Sequence, residues 1–171
     1  SVLLLMALLS YAPEDPNFIF PDNTEIKNIL GSRGSFVSDL FFQSIGLISI
    51  LISITLFITG SNIIRTKKLL LLLQNSFYLT LYAILGSLFF TVYYPESFWL
   101  SINGNGGFVG KLLSESFLIS IINLNKEICY YLLGTIILII FFISINLNIF
   151  WFLKLVKKII LNFFSKKEKI L

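Results

Sequence analysis

The chain has 171 residues, 56% of them apolar and only 13% charged, with a formal net charge of +4 and a mean hydropathy of +0.88. Such a composition excludes an ordinary soluble domain, and the length allows one small membrane bundle without a separate soluble unit. There is no histidine and a single cysteine, Cys129. That removes the commonest metal ligand, the commonest general base and any disulfide within the chain, and leaves Cys129 as an apolar-like side chain.

Residues 1–10 are apolar but rise only about 15 Å as a helix, half of a hydrocarbon core of about 30 Å. They lack the basic leader and the small-residue cleavage pattern of a signal peptide. They read as part of a first transmembrane helix that is truncated here. Three further runs, 40–60, 69–92 and 128–153, contain no charged side chain, and each is long enough to span a bilayer as a helix with its backbone paired internally. The expected fold is an all-α, polytopic bundle of four transmembrane helices. Residues 1–153 would form this anchor, and 154–171 a basic juxtamembrane segment.

The connecting segments differ in charge. The link 61–68 holds Arg65, Lys67 and Lys68, and the tail holds Lys154, Lys157, Lys158, Lys166, Lys167 and Lys169 against Glu168 alone. Segments 11–39 and 95–127 are net acidic. The positive-inside rule then puts both chain ends and the link in the cytoplasm and the two acidic segments outside. Tyr93, Tyr94 and Trp99 fall at the expected outer boundary and Phe150, Trp151 and Phe152 at the inner one, as an aromatic belt requires. In the tail, Leu155, Val156, Ile159, Ile160, Phe163 and Phe164 recur at helical spacing between the lysines. This pattern predicts an amphipathic extension on the inner membrane face, with Lys157, Lys158, Lys166 and Lys167 at anionic headgroups, worth about 1 kcal/mol each. Nucleic acid is a weaker reading, because the apolar stripe needs a surface.

Small residues mark the helix faces expected to pack. Ser76, Thr80, Ala83, Ser87 and Thr91 line one face of the third span, and Gly46, Ser49 and Ser53 one face of the second; such residues let backbones approach closely in lipid. The fourth span has Gly134 and otherwise a wall of Ile, Leu and Phe. No Asp, Glu, Lys or Arg falls at mid-bilayer depth, which weighs against a pump, transporter or channel. Residues 108–122 mix apolar residues with Lys111, Glu115 and serines, and read as an amphipathic outer helix or a re-entrant segment. The stretch 105–112 brushes against a phosphate-binding loop but lacks its first glycine, and has Leu112 where Ser or Thr would hold Mg²⁺.

The turn after the first helix carries Tyr11, Pro13, Asp15 and Pro16, with two prolines to stop the helix. Asn28, Gly31 and Gly34 follow, and Ser35 and Asp39 are expected to cap the second helix and to favour its N-terminal end. Ser10-Tyr11-x-Pro13-x-Asp15-Pro16, Asn28-x-x-Gly31-x-x-Gly34, then Asp39 and Gly46, resemble the N-terminal membrane domain of FtsK/SpoIIIE-type DNA translocases. Gly106-Gly107-x-x-Gly110 is similar to that family's second outer loop. Ser35 departs from the family's usual alanine, and 123–125 from its usual glycine.

The resemblance implies a multi-pass anchor in a bacterial inner membrane at the division septum. It would tether a cytoplasmic ATP-driven DNA motor that is not in this chain. It implies a homo-oligomer, hexameric in the family, in contact with membrane lipid and other cell-division membrane proteins. DNA, ATP and Mg²⁺ would belong to the motor alone, so no catalysis, cofactor or metal is expected here. The main alternative is a small, non-enzymatic transport or channel subunit. A respiratory-complex subunit and a membrane acyltransferase rank lower, lacking a haem ligand and a polar catalytic cluster.

Overall fold

A computed structural model describes residues 1–16, 25–96, 99–100 and 102–146, and all the regular structure in them is helical. The helices are α1 (Val2–Leu9), α2 (Gly31–Ile45), α3 (Ser49–Thr66), α4 (Leu70–Tyr93), α5 (Gly107–Ser114), α6 (Leu118–Leu124) and α7 (Lys126–Ser144), with a 3₁₀ turn, Gly46–Ile48, between α2 and α3. Three stretches are long and apolar enough to cross a membrane: Gly31–Thr66, α4 and α7. With α1, too short at eight residues to cross by itself, they make up the helical membrane bundle. The tail lysines Lys157, Lys158, Lys166 and Lys167 lie outside the described residues, as does 147–153 of the fourth run.

Two expectations need correction. The run 40–60 is not one helix, because its chain is interrupted at Gly46, whose φ of 72° takes it out of helical geometry. The helix before that break starts at Gly31, so Ser35 and Asp39 lie inside α2 and cap nothing. Gly31 itself begins α2 at a φ of 66°, a conformation that only glycine adopts at little cost.

α3 and α4 form an antiparallel pair joined by a turn of three residues around Lys67. Ile48 lies against Gly86, the Thr55 hydroxyl and Tyr82 OH share a hydrogen bond of 2.8 Å, and Asn75 Nδ2 donates to Thr59 Oγ1 at 2.9 Å. α7 runs antiparallel to α4 on another side. Asn146 Nδ2 donates to Asn75 Oδ1 at 3.1 Å, the Tyr82 and Phe141 rings meet edge to face at 5.8 Å, and Tyr94 and Tyr130 share a 2.8 Å hydrogen bond. α4 is therefore the middle helix, and the core of Ile48, Ile52, Tyr82, Ala83 and Ile137 forms around it. A smaller cluster of Leu8, Phe42 and Leu100 holds α1 at the Tyr93 end of the bundle.

The small-residue faces divide. Ser49, Ser53, Ala83 and Ser87 are buried, whereas Thr91 and Ser76 are half-buried and Thr80 is exposed. The Thr80 hydroxyl donates along its own helix to the Ser76 carbonyl at 3.0 Å. The face of α4 that packs within this chain runs instead through Asn75, Tyr82, Ala83, Gly86 and Ser87. A small side chain marks a close approach only where a neighbour comes, and the sequence does not say on which side α3 and α7 arrive.

Candidate functional site

The residues singled out around the first outer turn converge on a buried polar bracket between α1 and α2. Pro13 occupies the second position of a turn closed by Asp15 N–H donating to the Ala12 carbonyl at 3.1 Å, where its fixed φ suits the turn. The turn aims the Asp15 carboxylate, only 1% exposed, at the returning chain. Its two oxygens accept from the backbone N–H groups of Lys27 and Asn28, each at 2.8 Å.

Asn28 is thereby fixed with its side chain beneath the end of α1. Its Nδ2 donates to the carbonyls of Ala7 at 2.9 Å and Ser10 at 3.3 Å, and its Oδ1 accepts from Leu30 N–H at 3.1 Å. One carboxamide thus pairs carbonyls left open at a helix end and starts the next helix. Gly34 follows from this, because a Cβ there would collide with the Asn28 carboxamide and stand 2.6 Å from Leu30 Cβ. Ser35, buried, donates to the Pro16 carbonyl at 2.8 Å. It ties α2 to the turn instead of capping its own helix.

A hydrogen-bonded chain leads on from the bracket. Tyr11 packs its ring on Phe42, centroids 4.9 Å apart, and donates to Asp39 Oδ1 at 3.2 Å. Gln43 Nε2 donates to the same oxygen at 3.4 Å, Asn103 Nδ2 donates to Gln43 Oε1 at 3.2 Å, and Lys111 Nζ donates to Asn103 Oδ1 at 3.4 Å and to the Ile102 carbonyl at 2.6 Å. Burial pushes the Tyr11 phenol well above its ordinary value, and the negative charge of Asp39 adds to the shift. On the surface, the hydrogen bond from Lys27 lowers Glu14, at a separation of 2.5 Å.

The remaining motif glycines meet at a second point, where the α2–α3 break, α4 and α5 cross. Leu47 N–H donates to the Asn105 carbonyl at 2.9 Å, and Ser87 Oγ donates at 2.9 Å to the Ile45 carbonyl that the break sets free. Gly106 and Gly110 seat one face of α5 on the Ser87 carbonyl and the Thr91 hydroxyl. Gly107, at a φ of 65°, would bring a Cβ to 2.5 Å from Gly46 N. A Cβ on Gly46 would in turn strike the Asn105 carbonyl. These four glycines are present because three backbones touch.

Tyr11, Pro13, Asp15, Pro16, Asn28, Gly34 and Asp39 thus share one cluster with Gly31 at its edge, and Gly46, Gly106, Gly107 and Gly110 share another. Asn103, which links the two through Gln43 and Lys111, and Asn105, which belongs to the second through Leu47, stand outside the residues the sequence points to. Their signal was the Asn-x-Asn-Gly-Gly sequence, legible as a turn but not as a partner of Gln43. Among the described residues, no group of three or more His, Cys, Asp or Glu could hold a metal ion. The buried carboxylates accept hydrogen bonds from the protein itself, and the arrangement serves to lock helices and loops together.

Residues 1–159 match a family model described as the 4TM region of DNA translocase FtsK/SpoIIIE. No curated protein and no solved structure matches the chain.

Proposed function

Because the chain belongs to the family of the 4TM region of FtsK/SpoIIIE DNA translocases, we propose that it anchors a cytoplasmic, ATP-driven DNA motor in the bacterial inner membrane at the division septum. The observation that carries this reading is the family match over residues 1–159. The geometry adds a mechanical rationale: the family-like residues are consumed in fixing helix ends and crossings, as suits a rigid tether. On this reading the Arg65–Lys68 turn faces the cytoplasm and the locked Tyr93 end faces outward. The chain associates with further copies of itself, hexameric by family analogy, and with other division proteins. Contact with DNA and hydrolysis of ATP fall to the motor.

A fusion of the chain to a fluorescent protein, expressed in dividing bacteria, tests the anchoring role. Enrichment at the division site supports it, and uniform distribution around the envelope rejects it. Saturable ATP binding to the purified chain would contradict the division of labour.

A further inference from the structure

We propose that α5 and α6 form an in-plane element lodged at the interface of the leaflet on the Tyr93 side, in contact with lipid along one face, and that they do not cross the membrane. The ends of the segment are the first reason. At its start, Asn105 Nδ2 donates to the carbonyls of Tyr94 at 2.9 Å and Glu96 at 2.8 Å. At its finish, Tyr93 OH donates to the Lys126 carbonyl at 2.9 Å. Entry and exit are thus both fastened to the same end of α4, and a spanning segment would have to leave at opposite ends. The two helices are bent by 75° and their fifteen residues rise about 22 Å in all, less than a hydrocarbon core even if straight.

Depth and chemistry are the second reason. Gly106, immediately before α5, and Gly110, one turn further on, both rest on Ser87 and Thr91, so α5 crosses α4 instead of running down it. Thr91 and Ser87 lie about 3 Å and about 9 Å along the helix from Tyr93, which keeps α5 within about 9 Å of the Tyr93 end. Around α5 the rows at i, i+4 spacing differ in kind. Gly106 and Gly110 face protein, Lys111 and Glu115 are exposed charges, and Phe108 and Leu112 are exposed apolar side chains, each more than half accessible.

Phe117 at the start of α6, with Ile121 and Leu124 within it, forms one exposed stripe at i, i+4, i+7. Lys111 turns its ammonium back to the loop carbonyl of Ile102, the direction a snorkelling lysine takes at an interface. A face with charges along one edge and large apolar groups along the other matches a membrane interface, where such helices sit about 5–10 Å into the headgroup boundary. A carboxylate at the hinge, Glu115, is unsuited to a deeper, re-entrant course.

Cysteine labelling of the whole chain in phospholipid vesicles tests this. In a Cys129→Ser background, Glu96→Cys serves as the water-exposed reference at the same end. Glu115→Cys should react with a charged, impermeant maleimide at a rate within about twofold of the reference. Phe117→Cys and Ile121→Cys should react about tenfold slower, as burial of about 5–10 Å implies. A fluorophore placed at either should be quenched more by phospholipids with a shallow nitroxide than by those with one near the bilayer centre. Reference-like rates at Phe117→Cys without quenching would put the segment in water. Protection of Glu115→Cys with stronger deep quenching would make it re-entrant or spanning. Slow reaction without quenching by either lipid would mean that protein covers the face. Each of these overturns the proposal and leaves the anchoring role standing, since no readout involves the motor.

Discussion

Gly107→Ala should destabilise the bundle, and Gly60→Ala should stabilise it. Gly107 has a φ of 65°, and an added Cβ would lie 2.5 Å from Gly46 N and 2.7 Å from Ile45 N. The left-handed conformation costs an L-residue about 1–2 kcal/mol, and forcing a methyl group against fixed backbone costs about 1–3 kcal/mol more. Loss of glycine's freedom in the unfolded chain returns about 0.4–1 kcal/mol. The net expectation is a loss of about 1–5 kcal/mol, or about 2–18 °C in melting temperature at this size. Gly60 has an ordinary φ inside α3 and nothing within 4 Å of its missing Cβ, so alanine there should gain about 0.5–1 kcal/mol from helix propensity. Heating in a mild detergent, with a dye that reacts with the half-buried Cys129, reads both. A Gly107→Ala protein melting at or above the parent temperature would refute the three-way backbone contact.

Asn28→Ala leaves two carbonyls and one N–H without their partner, and should cost about 2–4 kcal/mol. Asn28→Asp should not rescue it, since a carboxylate cannot donate to Ala7 and Ser10; the same melts decide. Tyr82→Phe strands the Thr55 hydroxyl within the bundle and should cost about 0.6–1 kcal/mol, the usual scale for interhelical hydrogen bonds in lipid. The raised Tyr11 means that the folded chain holds this proton more tightly than the unfolded one. Its contribution to stability is complete below about pH 10, the ordinary tyrosine value, and is lost as pH rises through the folded value. Melts from pH 8 to about pH 11 should therefore fall more steeply for the parent than for Tyr11→Phe; parallel curves would rule this out.

The membrane-crossing runs were legible because uncharged apolar length is a property of composition, and α4 begins and ends within one residue of the expected run. The break at Gly46 was not legible. A lone glycine among Leu, Ile and Ser reads as a packing contact, and the carbonyl that leaves no room for a Cβ there belongs to Asn105, far along the chain. Ser35 and Asp39 misled for a related reason. Both are good capping residues, but Gly31 starts the helix first and leaves them on a buried face. Asn28-x-x-Gly31-x-x-Gly34 was visible as a pattern without its cause, since Gly34 is small to admit the Asn28 side chain and not to bend the chain.

The interior of the bundle raises the question of what fixes its register. Lipid is as apolar as leucine, so the wall of Ile, Leu and Phe on α7 gains little by choosing one neighbour over another. The buried polar side chains discriminate better. Asn75 joins α3 through Thr59 and α7 through Asn146, while Tyr82, about two turns away on the same face, reaches Thr55 with its hydroxyl and Phe141 with its ring. Sliding α4 by one residue against either neighbour would turn both groups off their partners and leave them unpaired in a dry interior, at about 1–3 kcal/mol each. At the Tyr93 end, Ser87 and the crossing glycines impose the same register through backbone contact. A helix held at both ends and at its middle in this way cannot rotate or slide independently of the other two.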